Sequence, residues 1–267
     1  MPELPDVEIF RQRFERKARG RTISEVRVLV NRLLDRVTPK KLTRALVGQR
    51  VVAAKRHGKH LFVELDDGSV LALHFGMTGE IAPLPKDRQP PRYTALHLVF
   101  DDGTSIAFTS RRRLGHVGLA KTAEAYIRSH DLGPEALDPK LDLQSFQAGL
   151  GSRRRVIKSA LMDQSKLAGI GNIYSDEILF QAGLNPKRLI GDLGSADTER
   201  LFKALRHVLQ TAIKRGILAE EIEGGVPQDW LLPHRGKDGH CPRCGGPIQA
   251  TKIGGRTAWF CPSCQPT

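Results

Sequence analysis

All four cysteines of this 267-residue chain fall in its last 27 residues, as Cys241-x2-Cys244 and Cys261-x2-Cys264 with 16 residues between the pairs. Each Cys-x2-Cys turn can offer two thiolates to one ion. The spacing therefore predicts a tetrahedral zinc ribbon closing the chain, with one structural Zn2+ on Cys241, Cys244, Cys261 and Cys264. Two disulfides or a redox dithiol are the alternatives. A reducing compartment argues against the first, and the lack of a strand–helix setting argues against the second. Such a ribbon occupies only the end of the chain. What precedes it is long enough for two modest domains or one large one.

The charge balance points to a polyanion. Lys and Arg number 42 against 29 Asp and Glu, a formal net charge of +13 with pI near 9.9. Basic side chains neutralise phosphates and release condensed counterions, so nucleic acid is the favoured partner class over a merely basic surface. No apolar run is long enough to span a bilayer, and no strongly amphipathic basic helix suggests membrane binding. The N-terminus, Met1-Pro2-Glu3-Leu4-Pro5-Asp6, carries prolines and acids where a signal peptide has basic and then apolar residues, so a cytoplasmic protein is expected.

Periodicity divides the rest. Val7, Phe10 and Phe14 follow helical spacing from Asp6 to about Ala18, with Gly20 as a stop. Leu61, Val63 and Leu65 alternate, Asp67-Gly68 turns, and Val70 to Leu73 resumes. Leu96, Leu98 and Phe100, then Asp102-Gly103, then Ile106 and Phe108 repeat that arrangement. The first half is thus β-rich with one N-terminal helix. Helical pattern runs from about Arg153 to Arg215, broken at Gly169-Ile170-Gly171 and Asn185-Pro186, and residues 217–239 look like a loop. The expected division is 1–132 as a β domain, 133–150 as a linker, 151–236 as a helical domain and 237–267 as the ribbon.

Chemistry is offered first at the N-terminus. A Pro in second place permits removal of Met1 and leaves a secondary amine, and an α-amino group titrates near pH ~8, so part of it is unprotonated at neutrality. Such an amine can attack C1′ of a damaged nucleotide and form an iminium, while Glu3 moves protons on the opening sugar. Taken alone, Pro2 and Pro5 could equally just stiffen the entry to the first helix.

The run Met1-Pro2-Glu3-Leu4-Pro5-Asp6-Val7-Glu8 resembles the opening of the formamidopyrimidine-DNA glycosylase family, which also holds the endonuclease VIII enzymes; Leu4 is similar to the formamidopyrimidine branch. The resemblance extends to Gln265. Lys59, in Lys55-Arg56-His57-Gly58-Lys59-His60, matches the family's hairpin lysine, which contacts phosphate and positions the sugar. Met77, in His74-Phe75-Gly76-Met77-Thr78-Gly79, matches a wedge that fills the gap left by an everted base. Arg112-Arg113-Leu114-Gly115 stands where the family inserts Arg-Arg-Phe-Gly, so Arg112 would reach toward the widowed base and Leu114 would replace the aromatic wedge. Leu161 to Gln164 and Ala168 to Glu177 resemble the helix–two-turn–helix element, with Asn172 as the phosphate-binding asparagine and Lys158 as a basic position near it. Its glycines would let backbone N–H groups meet a phosphate at a helix N-terminus. Arg256 corresponds to the arginine of the zinc hairpin, gripping phosphates beside the lesion.

The resemblance implies an α+β architecture: an N-terminal β-sandwich domain with a flanking helix, and a C-terminal helical domain with helix–two-turn–helix element and zinc ribbon. Duplex DNA carrying damaged bases or abasic sites would lie between them, bound by a monomer. The implied activity is a bifunctional glycosylase and abasic-site lyase of base excision repair. The alternative is a catalytically inactive DNA-damage binding protein of the same fold, against which Pro2, Glu3 and Lys59 argue; if Met1 stays on, Pro2 nitrogen is a tertiary amide and cannot attack. Three departures bear on lesion choice: Ser110-Arg111 in place of Asp-Pro, Leu114 in place of Phe, and a lesion-capping loop between Gly216 and Cys241 that looks shortened.

Overall fold

The computed structural model describes residues 1–219 and 225–267. They form two units: Met1–Pro2 with Asp6–His130, and Glu3–Pro5 with Asp131–Thr267. Residues 220–224, part of the expected capping loop, lie outside the described residues.

In the first unit, helix α1 (Leu4–Ala18) buries Val7, Phe10, Phe14 and Ala18, one stripe at three- and four-residue spacing. Gly20 at φ +80° lets the chain reverse after it. Strands β1 (Ile23–Val28), β6 (Gly79–Leu84), β7 (Thr94–Phe100) and β8 (Ser105–Ser110) make an antiparallel sheet in the order β1-β7-β8-β6. The second sheet has the order β2-β9-β5-β4-β3, from β2 (Leu34–Asp35), β3 (Val51–His57), β4 (His60–Leu65), β5 (Val70–His74) and β9 (His116–Ala120). Both hairpins read from the sequence are present, with Gly68 and Gly103 at positive φ in their turns.

The sandwich core explains the alternation. Leu61, Val63 and Leu65 of β4 are buried, while Phe62 on the opposite face packs with Val70, Ala72, Ala123 and Tyr126 under helix α3 (Ala123–Ser129). The five-stranded sheet is therefore covered on both sides, so its strands read as nearly continuous apolar runs. Helix α2 (Pro39–Leu46), which the sequence reading passed over, starts from Thr38, whose hydroxyl accepts from Lys41 N, with Pro39 in the first turn.

Two half-buried histidines, His60 and His74, lie on the same face. Burial, reinforced by His116 and Lys59, pushes His74 down to about 4, and burial with neighbouring histidines pushes His60 well below its ordinary range. A folded-state value below the unfolded one means the stabilisation is complete above about pH 6.5 and lost as pH falls from there toward about 4. At about pH 5, His74 alone is expected to cost about 2 kcal/mol of stability. Denaturation of zinc-loaded protein at about pH 7.5 and 5 checks this: His74→Phe should show a clearly flatter pH dependence, and equal slopes would refute it.

The second unit is built on helix α6 (Asn172–Ala182) and helix α7 (Ser195–Arg215), with helices α4 (Leu143–Gly149) and α5 (Ile157–Leu161) against them. Both long helices end on glycines at positive φ, Gly183 and Gly216. The segment 133–150, expected as a linker, instead holds α4 and contributes Ala136, Leu141, Phe146 and Leu150 to this core. Its apolar residues are too widely spaced for a long helical stripe, and the short helix is nucleated by Asp142, whose carboxylate accepts from Ser145 N. Strands β10 (Gln249–Ile253) and β11 (Arg256–Phe260) form the terminal hairpin. Phe180 of α6 packs with Leu231, Cys241, Ile248 and Cys261, so the hairpin region has no separate core.

Candidate active site and nucleic-acid interface

The start of α6 is the most constrained point of the second unit. The Glu3 carboxylate is buried there and accepts three backbone hydrogen bonds, from Gly171 N at 2.6 Å, Ile173 N at 2.8 Å and Tyr174 N at 3.2 Å. These are amides that a helix N-terminus leaves without intrahelical partners, and the helix dipole favours an anion at that place. Glycines make room for it. A Cβ on Gly171 would collide with the Glu3 carboxyl, and one on Gly169 (φ +120°) with the Leu4 side chain. This corrects the sequence-based expectation that these amides meet a phosphate: the anion they hold is the chain's own Glu3. Pro2, partly exposed, is joined to it by one peptide bond.

Lys158 is corrected as well. It is fully buried, and its ammonium donates to Asp176 Oδ1 at 2.6 Å, Ser175 Oγ at 2.7 Å and the Asn172 carbonyl at 3.0 Å. All three protons are used, so Lys158 holds the first turn of α6 and offers nothing to a phosphate. Arg235 approaches the other Asp176 oxygen at 3.0 Å. Burial pushes Lys158 down and Asp176 up, and the ion pair opposes both shifts. Asn172 lies beside this network, partly exposed, with a buried Oδ1 that has no hydrogen-bond partner among the described residues.

Sequence reasoning missed Asp176, Glu177 and Arg235. Burial pushes Glu177 up to about 7 while its carboxylate accepts from Leu232 N and Gln181 Nε2, both at 2.8 Å. A signal was available: two adjacent acids stand between Ile173-Tyr174 and Ile178-Leu179-Phe180, a helix with no solvent face to put them on.

The four cysteine sulfurs lie within 4.8 Å of one another, with Cys241–Cys264 at 3.7 Å and Cys244–Cys261 at 3.5 Å. Tetrahedral zinc with Zn–S of about 2.3 Å requires sulfurs about 3.8 Å apart, so the donor set fits one Zn2+. The ribbon's hairpin turns through Gly254 and Gly255, both at positive φ, and presents Arg256 to solvent. Arg256 pairs with no carboxylate among the described residues; its Nη1 donates to Met162 Sδ at 3.6 Å.

In the first unit two turns are welded together. Gly76, at φ +59°, lies against the backbone of Leu114 and Gly115, where a Cβ would collide. The Thr78 hydroxyl accepts from Arg112 N at 3.0 Å, and Arg32 donates to the carbonyls of Arg112 and Arg113, at 3.1 Å each. Met77, half-buried, thus shares one rigid block with exposed Arg112 and Leu114, the last 48% exposed. Lys59, buried, sits in the two-residue Gly58-Lys59 turn between β3 and β4. No helix among the described residues is long and apolar enough to cross a membrane.

Comparison with known proteins agrees along the whole chain. The model of the formamidopyrimidine-DNA glycosylase N-terminal domain matches residues 1–117, that of the same enzyme's H2TH domain residues 132–222, and that of a zinc finger found in FPG and IleRS residues 240–267. The formamidopyrimidine-DNA glycosylases of Carboxydothermus hydrogenoformans and Geobacter metallireducens are 35% and 36% identical, over 99% of this chain and 100% of theirs. Among solved structures, the Lactococcus lactis enzyme with Fapy-dG-containing DNA superposes with a TM-score of 0.90 at 29% identity, and its complex with abasic-site DNA with 0.88 at 28%; both cover 99% of this chain and 100% of the other.

Proposed function

This chain belongs to the formamidopyrimidine-DNA glycosylase family, and from that premise we propose that it is a bifunctional DNA glycosylase and abasic-site lyase of base excision repair, acting through the amine of Pro2 once Met1 is removed. The observation that carries the reading is the Glu3 carboxylate, fixed by three amides one residue from the nucleophile. Its geometry is set before substrate arrives, which is what proton transfer at a defined atom needs.

Pro2 nitrogen attacks C1′ and the N-glycosidic bond breaks, releasing the damaged base. The proton that Pro2 nitrogen sheds on bonding to C1′ passes to Glu3, the freed lone pair expels O4′, and Glu3 delivers that proton to O4′, leaving an iminium at C1′. Loss of a C2′ proton expels the 3′ phosphate and breaks the strand. Lys59, Asn172 and Arg256 bind the backbone; Met77, Arg112 and Leu114 enter the space of the everted nucleotide. Lys158 acts through Asn172 and α6, not on DNA. The enzyme works as a cytoplasmic monomer on duplex DNA. Residues 1–132 carry the sandwich, 151–236 with α4 the helical part, and 237–267 the ribbon.

Arg256 is assigned to phosphate rather than base edges because it stands on a bare turn. Arg256→Ala should weaken binding similarly across sequences and lower the slope of log affinity against log salt by about one. A sequence-selective loss at unchanged slope would contradict that role.

Lesion choice follows from what surrounds the base. Leu114 offers less stacking surface than Phe, and the chain between Gly216 and Cys241 lacks the family's Gly-Tyr-Phe stretch. Lost polar readout relaxes specificity more than lost apolar contact. In a single-turnover panel opposite each of the four bases, abasic sites should be cut efficiently and 8-oxoguanine poorly, with ring-opened purines or oxidised pyrimidines excised faster. Excision of 8-oxoguanine opposite cytosine ahead of every other base lesion would overturn the lesion preference. Absence of abasic-site cleavage would overturn the enzymatic reading in favour of a damage-binding protein.

A further inference from the structure

Met162 is the side chain on which the ribbon's arginine rests, and the excision chemistry does not use it. It is the first residue past α5. Its N–H donates to the Lys158 carbonyl at 3.3 Å and its carbonyl accepts from Gln164 Nε2 at 2.8 Å, so its backbone is fixed. The turn of the ribbon hairpin lies over the same helix, where a Cβ on Gly254 would stand 3.6 Å from Ser159 Oγ. Two residues on, Arg256 donates from Nη1 to the Met162 sulfur at 3.6 Å. Asp163, the acid next in sequence to Met162, is already engaged, by Arg155 Nη1 and by Ser165 Oγ, each at 2.8 Å.

A thioether is a weak acceptor, so Arg256 is held loosely and is free to take a phosphate. Oxidation reverses that balance. A sulfoxide is polar, its oxygen is a strong acceptor, and an oxygen added to the Met162 sulfur comes within hydrogen-bond reach of Nη1. A hydrogen bond from a charged donor is about twice as strong as a neutral one, and no carboxylate among the described residues competes for this guanidinium. Met162 is half-buried, within reach of a small oxidant. Of the chain's three methionines, Met1 is removed and Met77 belongs to the first unit, so Met162 is the thioether that meets the ribbon.

We propose that Met162 is an oxidation site through which a hydroperoxide lowers the protein's grip on DNA. The sulfur lone pair attacks the terminal peroxide oxygen, and the S–O bond forms as the O–O bond breaks. The departing oxyanion takes the proton that the transferred oxygen sheds; from hydrogen peroxide it leaves as water. The sulfur is oxidised by two electrons and the peroxide reduced by two. The sulfoxide oxygen then accepts from Arg256 and draws it off the phosphate. A thiol-dependent reductase reverses the step. The loss of DNA binding rests on the phosphate role proposed above for Arg256; the oxidation of Met162 does not.

The test treats zinc-loaded full-length protein, with Met1 removed, with hydrogen peroxide at doses that leave the ribbon zinc bound, zinc being measured on the same sample. Peptide mapping reads sulfoxide at Met77 and Met162, and binding to duplex carrying a reduced, uncleavable abasic site is measured across salt. Sulfoxide at Met162 should weaken binding severalfold and lower the slope of log affinity against log salt by about one, and methionine sulfoxide reductase should restore both. Met162→Leu should lose the slope response, and Met162→Gln, which places an amide oxygen near the guanidinium, should weaken binding without peroxide. Arg256→Ala, its slope already low, should show no further change of slope. Met162 left reduced while Met77 is oxidised, a slope change that persists in Met162→Leu, or sulfoxide at Met162 with unchanged affinity and slope would overturn the proposal. An unchanged slope in untreated Arg256→Ala would instead remove the phosphate contact, and the loss of DNA binding with it.

Discussion

A chain that keeps Met1, or carries one extra residue ahead of Pro2, is expected to lose abasic-site cleavage by about a thousandfold or more, because its only secondary amine becomes a tertiary amide. Binding to the same DNA should barely change, since the phosphate contacts are made elsewhere. Pro2→Ala with Met1 removed keeps a primary amine and should retain part of the activity. Glu3→Gln is a different injury. Its two oxygens accept three N–H bonds, and an amide can offer only one oxygen to them while turning its own N–H2 toward the remaining donors. The variant should lose both the proton shuttle and about 1–2 kcal/mol of capping stability. Single-turnover cleavage with melting of each variant separates the two. Equal cleavage by blocked and free N-termini would refute amine catalysis by Pro2.

The second large effect belongs to the ribbon. Cys244→Ser should release the zinc and abolish tight DNA binding in one step, because thiolate ligation and hairpin folding are coupled, with apparent energies of about 10–16 kcal/mol for structural zinc in small fingers. The loss should spread inward. Cys241 and Cys261 are packed with Phe180 of α6, and Arg243 stacks on the same ring at 4.3 Å, so an unfolded ribbon exposes one side of α6. Zinc content by atomic absorption should be one per chain in the parent and near zero in the variant. Metal-free protein with full DNA affinity would contradict the assignment.

The elements that show in the sequence are those whose pattern is local. The first helix carries a clean apolar stripe, both hairpins announce themselves by Asp-Gly turns, and the cysteine pairs fix their own geometry by spacing. Helix α4 was hidden because seven residues make too short a stripe, and Phe146 is buried by tertiary packing rather than periodicity. At the site, Pro2 and Glu3 were visible as chemistry, but where Glu3 points was not. The contact between residue 3 and residues 171–174 is non-local, and the same Gly-x-Gly amides would suit a phosphate equally well. Lys158 illustrates the converse: a lysine reads as exposed until Asp176, 18 positions later, is seen to take its charge. The cross-strand pairs His60–His74 and His74–His116 were likewise hidden, since these residues are far apart in sequence and are brought side by side only because β4, β5 and β9 are neighbours.

Borohydride trapping followed by peptide mapping shows whether the N-terminal amine forms the covalent bond to DNA. Protein of known intact mass is incubated with abasic-site duplex, reduced, digested and sequenced by mass spectrometry. One adduct is expected, on Pro2 of a chain that has lost Met1, and no trapping when the N-terminus is blocked. An adduct on Lys59 or another lysine, or undiminished trapping of chain that retains Met1, would contradict it.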